Sequence, residues 1–251
     1  MWDPEQYLRY ADERGRPFVE LTARIQADSP GYVVDLGCGT GELTATLTRR
    51  WPAATVLGLD SSAEMLAKAT PADRLSFVQA DLTGWQPDRP VDVLVSNATL
   101  QWVPGHAELL PRWVGWLAPG GWLAFQVPGN YASPGFDALR AQVRSARWRG
   151  RVPDVPETRV LEPAGYLDRL ARLGCAVDAW ETTYLHVLAG PDPVLEWKRG
   201  TALRPLLATL STVDGEEFVR EYAERLREAY PPQEGYGTVF PFRRIFVVAH
   251  R

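Results

Sequence analysis

The chain has 251 residues, 45% hydrophobic and 23% charged, with Lys+Arg 27 against Asp+Glu 31 and a formal net charge of -4. That balance argues against a nucleic-acid partner, which calls for an excess of positive charge. No apolar run approaches the roughly 18 residues that span a bilayer, and the acidic opening Met1-Trp2-Asp3-Pro4-Glu5 is not a secretory signal. Two cysteines, Cys38 and Cys175, cannot by themselves form a disulfide framework or a thiolate metal site. The expectation is a cytoplasmic protein, a monomer by preference, with no membrane, nucleic-acid or metal partner. All of the 27 basic residues except Lys68 and Lys198 are arginine. Composition explains most of that bias, and the alternative is that a few arginines meet a carboxylate.

In chain order, Tyr32 to Leu36 reads as a short strand that runs into a glycine-rich turn, followed by a helix from Glu42 to Arg50. Thr55 to Asp60 is the next strand, and Glu64 to Ala69 is helical with Ser61 and Ser62 available to cap it. Leu75 to Gln79, Val91 to Asn97 and Trp122 to Val127 are further apolar runs of strand length, and His106 to Leu117 has helical spacing. Strands alternating with helices predict βαβ units and a mostly parallel sheet. Phe136 to Trp148 and Pro163 to Leu173 read as helices, the second stopped by Gly174. Val177 to Leu188 and Arg243 to His250 read as long strands, with about fifty mostly helical residues between them. The organisation expected is a single domain, 1–251. It comprises an N-terminal helical cover (1–29), a cofactor-binding core (30–127), and two substrate-side lid or insertion segments (128–160 and 188–240) over one end of the sheet.

Asp35-Leu36-Gly37-Cys38-Gly39-Thr40-Gly41 follows a strand and opens a helix, and Asp60 ends the next strand. Alternating glycines let the chain turn sharply and bring backbone against a ligand. The spacing is not the G-x-G-x-x-G of nicotinamide enzymes, and a strand-terminal carboxylate suits the two hydroxyls of a ribose. A tight turn alone would also explain the glycines. The whole arrangement predicts a nucleoside-containing cofactor.

These residues resemble the first motif of class I S-adenosylmethionine-dependent methyltransferases. Gln79-Ala80-Asp81-Leu82 is similar to that family's adenine segment, Ser96 to Trp102 to its fourth motif beside the reactive methyl, and Leu117 to Gly121 to the loop before its fifth strand. The resemblance implies an α/β, Rossmann-like fold with a seven-stranded, mostly parallel sheet, its last strand antiparallel and helices on both faces. A helical insertion then lies over the active site. It also implies S-adenosylmethionine as cofactor, S-adenosylhomocysteine as product and no metal. The cofactor residues so implied are Asp35, Gly37, Gly39, Gly41, Asp60, Ser61, Ala80, Asp81, Leu82, Asn97 and Ala98, with Tyr10 and Arg14 from the N-terminal cover. A closer resemblance, to the trans-aconitate 2-methyltransferases, runs over almost the whole chain, through Trp2 to Leu21, Asn97 to Trp102, Cys175 to His186, Gly200 to Pro205 and the ending from Phe240. Thr40 and Glu42 depart from the Pro and Asn commoner in that loop.

The activity implied is esterification of one carboxylate of a small polycarboxylic acid. Alternatives are methyl transfer to another acid or ring compound, or a non-catalytic cofactor-binding sensor. A carboxylic acid of pKa about 4 is already ionised at neutral pH, so no general base is required and no catalytic side chain is expected beyond positioning. Arginine forks, hydroxyls and indoles suit a small anionic substrate. Candidates are Trp102, Tyr184 and His186 (one face of a strand), Trp197 and Arg204 (expected on one side of one helix), and Arg243 and Arg244, which point to opposite faces. Arg140, Arg144, Arg147 and Arg151 read as a solvated helical stripe, and Tyr222, Leu226 and Tyr230 as the insertion's own core.

Overall fold

The structure is a computed structural model, and it describes the backbone of residues 11–251 and the side chains from residue 15 on. Two compact units gather the chain. One comprises Arg14–Pro128, Arg159–Thr182 and Arg244–Arg251, and the other includes Gly129–Thr158 and Thr183–Arg243.

The first unit is built on a parallel sheet. Its strands are β1 (Tyr32–Leu36), β2 (Thr55–Asp60), β3 (Leu75–Gln79), β4 (Val91–Asn97) and β5 (Leu117–Pro128). β6 (Ala176–Leu188) and β8 (Gly237–His250) each contribute residues to both units, and the two-residue β7 (Pro232–Gln233) pairs only with β8. The strand order is β3-β2-β1-β4-β5-β8-β6. The pairs β1–β2, β1–β4, β2–β3 and β4–β5 are parallel, and β5–β8 is antiparallel. All five residues of β1 are buried, and β4 is buried at five of seven positions. That is the pattern of strands covered on both faces, and it is why they read as continuous apolar runs.

Helices α1 (Ala11–Ala23), α2 (Glu42–Arg50), α3 (Ala63–Leu66), α4 (Leu110–Trp116) and α6 (Pro163–Ala171) alternate with these strands. Ser62 caps α3 by accepting from Met65 N at 3.3 Å, and that helix stops at Leu66, short of the expected Ala69. The helix expected from His106 begins as a 3-10 turn, His106–Leu109, and becomes α-helical only at Leu110. Leu117 to Gly121, expected as a loop, belongs to β5. The register with β4 jumps between Val91–Leu117 and Val93–Trp122, so the extra residues form a bulge. Gly120 N and Gly121 O there bond Arg251 O and N.

The second unit is mainly helical. It holds α5 (Pro134–Val143), α7 (Pro193–Arg199), α8 (Arg204–Leu207) and α9 (Thr212–Ala229), the last capped by Ser211. Its core joins Leu139, Val143 and Trp148 to Trp197, Leu203, Phe218, Tyr222, Leu226, Tyr230, Phe240 and Phe242, so the four-residue spacing of Tyr222, Leu226 and Tyr230 does mark a core face. The arginine stripe does not form as expected. α5 ends at Val143, so Arg140 lies on its buried side while Arg144, Arg147 and Arg151 lie beyond it, paired to Asp154, to Glu217 and Glu221, and to Asp214. Trp197 and Arg204 do not share a helix, because Gly200 to Leu203 break the segment between α7 and α8.

Among the described residues, no helix is long and apolar enough to cross a membrane, and no group of three His, Cys, Asp or Glu side chains could hold a metal ion.

Candidate active site

The expected cofactor residues from Asp35 to Ala98 lie at the carboxyl ends of β1 to β4, where open α/β sheets bind their ligands. The β1–α2 turn is held by its neighbour: Gly37 N and Cys38 N both donate to Leu59 O, at 2.7 and 3.0 Å. Two of the three glycines make room for protein. A Cβ on Gly37 would land on the Thr99 side chain, and one on Gly41 would lie 2.5 Å from Phe77 Cζ. A Cβ on Gly39 would meet nothing nearer than Met65 Cε at 3.7 Å, so close backbone approach by a ligand concerns Gly39.

Asp60, at the end of β2, is half-buried and holds two backbone donors. Its Oδ2 accepts from Gly39 N and its Oδ1 from Ser62 N, both at 2.9 Å. Each oxygen keeps a lone pair, so the carboxylate can take a vicinal diol as well. Ser61 beside it is exposed, and its carbonyl accepts from Gln79 Nε2 at 3.2 Å. After β3, exposed Asp81 accepts from Thr83 N and Thr83 Oγ1 through Oδ1, both at 2.8 Å, which leaves Oδ2 available to an exocyclic amine. These hydrogen bonds hold the Asp81 carboxyl below its usual range. Leu82 is buried next to it, and Ala80 N is fixed by Asp60 O at 3.0 Å. A diol acceptor, an amine acceptor and an open glycine fit a nucleoside cofactor such as S-adenosylmethionine.

Asp35 is 3% exposed and accepts from Thr44 Oγ1 at 2.6 Å. Burial pushes its carboxyl up to about 7, opposed by the Thr44 hydrogen bond and aided by the Asp60 charge. Burial likewise pushes the Cys38 thiol up, with Asp35 and Asp60 adding to the effect, which disfavours the thiolate.

β4 ends in Asn97, and Ala98 follows it. Ala98 sits in the left-handed region at φ 53, held by its N–H to Gln126 O at 2.9 Å and by its carbonyl, which accepts from Gln101 Nε2. Gln126, buried in β5, links two expected site residues: its Nε2 donates to Asn97 Oδ1 at 2.9 Å, and its Oε1 accepts from Arg244 Nη1 at 3.0 Å. Arg244 is 5% exposed and reaches Gln126 from β8. Trp102 follows on a 3-10 turn, half-exposed, with Arg159 over its ring at 5.9 Å. His106 anchors the end of this loop, its Nε2 2.6 Å from the buried Tyr166 hydroxyl.

The other substrate candidates lie in the second unit. Tyr184 and His186 are buried and stacked, ring centroids 6.0 Å apart. Trp197 is 2% exposed, its ring packed on His186, Phe240 and Phe242 at 5.0, 5.6 and 5.5 Å. Arg243 is half-buried and donates to Gly129 O at 3.2 Å. Arg204, which opens the one-turn α8, is exposed. Tyr10 and the Arg14 side chain lie outside the described residues.

Thr44 and Gln126 were not among the expected site residues. A glutamine inside the apolar run Trp122 to Val127 was the available signal for the second.

A family model described as a methyltransferase domain matches residues 33–121. A trans-aconitate 2-methyltransferase of Streptomyces avermitilis is 54% identical over 261 residues, covering 100% of this chain and 97% of the relative. One from Mycolicibacterium gilvum is 52% identical over 252 residues, covering 99% and 98%. A structure of an S-adenosylmethionine-dependent methyltransferase from Geobacter sulfurreducens, in complex with S-adenosylhomocysteine, aligns over 100% of both chains with a TM-score of 0.58 at 19% identity, a likeness of fold. With its parallel sheet, its antiparallel β8 and full-length kinship at about half identity, the chain belongs to the trans-aconitate 2-methyltransferase family of class I S-adenosylmethionine-dependent methyltransferases.

Proposed function

We propose that this chain esterifies one carboxylate of trans-aconitate with the methyl group of S-adenosylmethionine. The observation that carries the reading is the 54% identity to a trans-aconitate 2-methyltransferase over the entire chain. The convergence of Asp60, Asp81, Gly39 and Asn97 at the strand ends supports it.

When bound, S-adenosylmethionine supplies an electrophilic methyl: the S–CH3 bond breaks as the carboxylate O–CH3 bond forms, and a neutral thioether leaves. The work of this chain is to bind and orient. Asp60 receives the ribose hydroxyls, Asp81 the adenine amine, and the Asp35–Gly41 turn and Ser61, Ala80, Leu82, Asn97 and Ala98 complete the cofactor's surroundings. Tyr10 and Arg14 are offered as further cofactor contacts. An ionised acid needs no base, so positioning and exclusion of water supply the rate enhancement, on the order of 7–11 kcal/mol in favourable cases. Of the substrate candidates, Trp102 and Arg244, which belong to the same unit as the strand-end cofactor residues, are the contacts we favour. Gln126 makes Arg244 and Asn97 parts of one rigid network.

The test is methyl transfer with trans-aconitate, citrate, isocitrate and a fatty acid as acceptors. Turnover should be greatest with trans-aconitate. No turnover of trans-aconitate at millimolar concentration would overturn the proposal, and turnover of only the fatty acid would replace it with an apolar-acid specificity.

A further inference from the structure

Asn97, Gln126 and Arg244 belong to one unit and stand in a row across its sheet. Asn97 on β4 is directly opposite Gln126 on β5. Gln126 in turn is opposite Phe246 on β8, and Arg244 lies two residues from Phe246, so the three side chains share a face. Gln126 is fully buried and Arg244 nearly so, whereas Asn97, the last residue of β4, is half-buried at the strand ends. The two hydrogen bonds that join them run in one direction, from Arg244 Nη1 to Gln126 Oε1 at 3.0 Å and from Gln126 Nε2 to Asn97 Oδ1 at 2.9 Å.

That direction is dictated by the arginine. A guanidinium carries only N–H donors and no acceptor, so only the oxygen end of Gln126 can face Arg244. The nitrogen end of Gln126 then faces Asn97, and because it can only donate, Asn97 must turn its own oxygen toward it. Reversing either amide would set N–H against N–H in a buried place, which is heavily penalised. A primary amide holds its oxygen and nitrogen at opposite corners, so Asn97 Nδ2 is left turned away from Gln126. Among the described residues nothing accepts from it.

We infer that Arg244 and Gln126 are positioning residues that hold Asn97 as a hydrogen-bond donor toward a carboxylate oxygen of the bound ligand. This rests on the reading that these strand ends take S-adenosylmethionine and a carboxylic acid. The carboxylate belongs either to the methionyl end of the cofactor or to the acid substrate, and Asn97 Nδ2 serves both in the same way. If it is the substrate's, the row also selects against amines, whose N–H groups would meet the Asn97 N–H groups instead of an acceptor.

The test is Gln126→Glu, which keeps the shape of the side chain and reverses the polarity of the row. A carboxylate beside Arg244 only accepts, so Asn97 must turn Nδ2 to it and present Oδ1 to the ligand. S-adenosylhomocysteine affinity or KM for trans-aconitate should worsen about tenfold or more, the scale of one lost charge-assisted hydrogen bond. A loss confined to S-adenosylhomocysteine assigns the cofactor's carboxylate, and one confined to KM assigns the substrate's. A double-mutant cycle separates this from a new charge or loosened packing: once Asn97→Ala has removed the amide, adding Gln126→Glu should have no further effect. The same factor with and without Asn97→Ala overturns the inference, and so does a Gln126→Glu protein with wild-type affinity and KM. Should Gln126→Glu not fold, the wild type suffices. NMR of the isotope-labelled protein, with the Asn97 side-chain amide identified by its loss in Asn97→Ala, should show one amide proton moving downfield when S-adenosylhomocysteine, or trans-aconitate after it, is added. An Asn97 amide unmoved by two bound ligands overturns the inference alone. A wild type that binds neither ligand overturns the inference together with the function it rests on.

Discussion

Asp35→Asn tests whether the first strand of the sheet carries a buried charge at working pH. The wild-type carboxyl is pushed from an ordinary value of 3.8 up to about 7, chiefly by burial. A carboxyl raised in the folded state is penalised once ionised, so wild-type stability falls as pH rises from about 4 to about 7 and is level above. Asparagine cannot ionise and has no such loss. Between pH 5 and pH 7 there are two units, each worth about 1.4 kcal/mol, so the stability of Asp35→Asn relative to wild type should improve by about 3 kcal/mol between pH 5 and pH 8. Any constant cost of replacing the Thr44 hydrogen bond cancels in that difference. Urea denaturation of both proteins at the two pH values measures it. Equal differences at pH 5 and pH 8, within about 0.5 kcal/mol, would refute the reasoning. The carboxylate would then be charged and solvated despite its 3% exposure.

Asp60→Ala should weaken S-adenosylhomocysteine binding by about 1–3 kcal/mol, because the diol acceptor and the anchor of Gly39 N are lost together; calorimetry reads this directly, and unchanged affinity would remove Asp60 from the site. Gln126→Leu leaves Asn97 and Arg244 each without one buried partner and should cost about 2–4 kcal/mol in urea denaturation. Gln126→Glu should retain the Arg244 side of the network and lose less.

Strands such as β1 and β4 were legible because strands buried on both faces are apolar nearly throughout. Asp60 was legible as a charged residue placed where such a run stops, and Asp81 only through the resemblance of Gln79 to Leu82 to the family's adenine segment. Long-range packing was not legible. Nothing near Gly37 or Gly41 indicates that Thr99 and Phe77 fill the space their missing side chains leave. The first half of β8, Gly237 to Phe242, was missed because Pro241 and exposed positions interrupt the apolar pattern. The break between Trp197 and Arg204 depends on a turn at Gly200 that helical spacing alone does not reveal. Nothing in the sequence around Lys198 indicates that Gly135 and Phe136, more than sixty residues earlier, are brought against it.

The place of β8 in the strand order bears on biosynthesis. Residues 244–250 insert between β5 and β6, so the last of the described strands in chain order supplies an inner position of the sheet. While a ribosome is still extending the chain, β1 to β5 can already pair with one another, yet β5 keeps an open row of amide and carbonyl groups along one side. β6 meanwhile has no sheet neighbour at all. Such a side recruits other strands, including those of another nascent copy. Closing it requires a contact between residues more than a hundred positions apart, which is slow to form. The interval before Arg244 to His250 dock is therefore the period of greatest aggregation risk, and shielding by a chaperone matters most then.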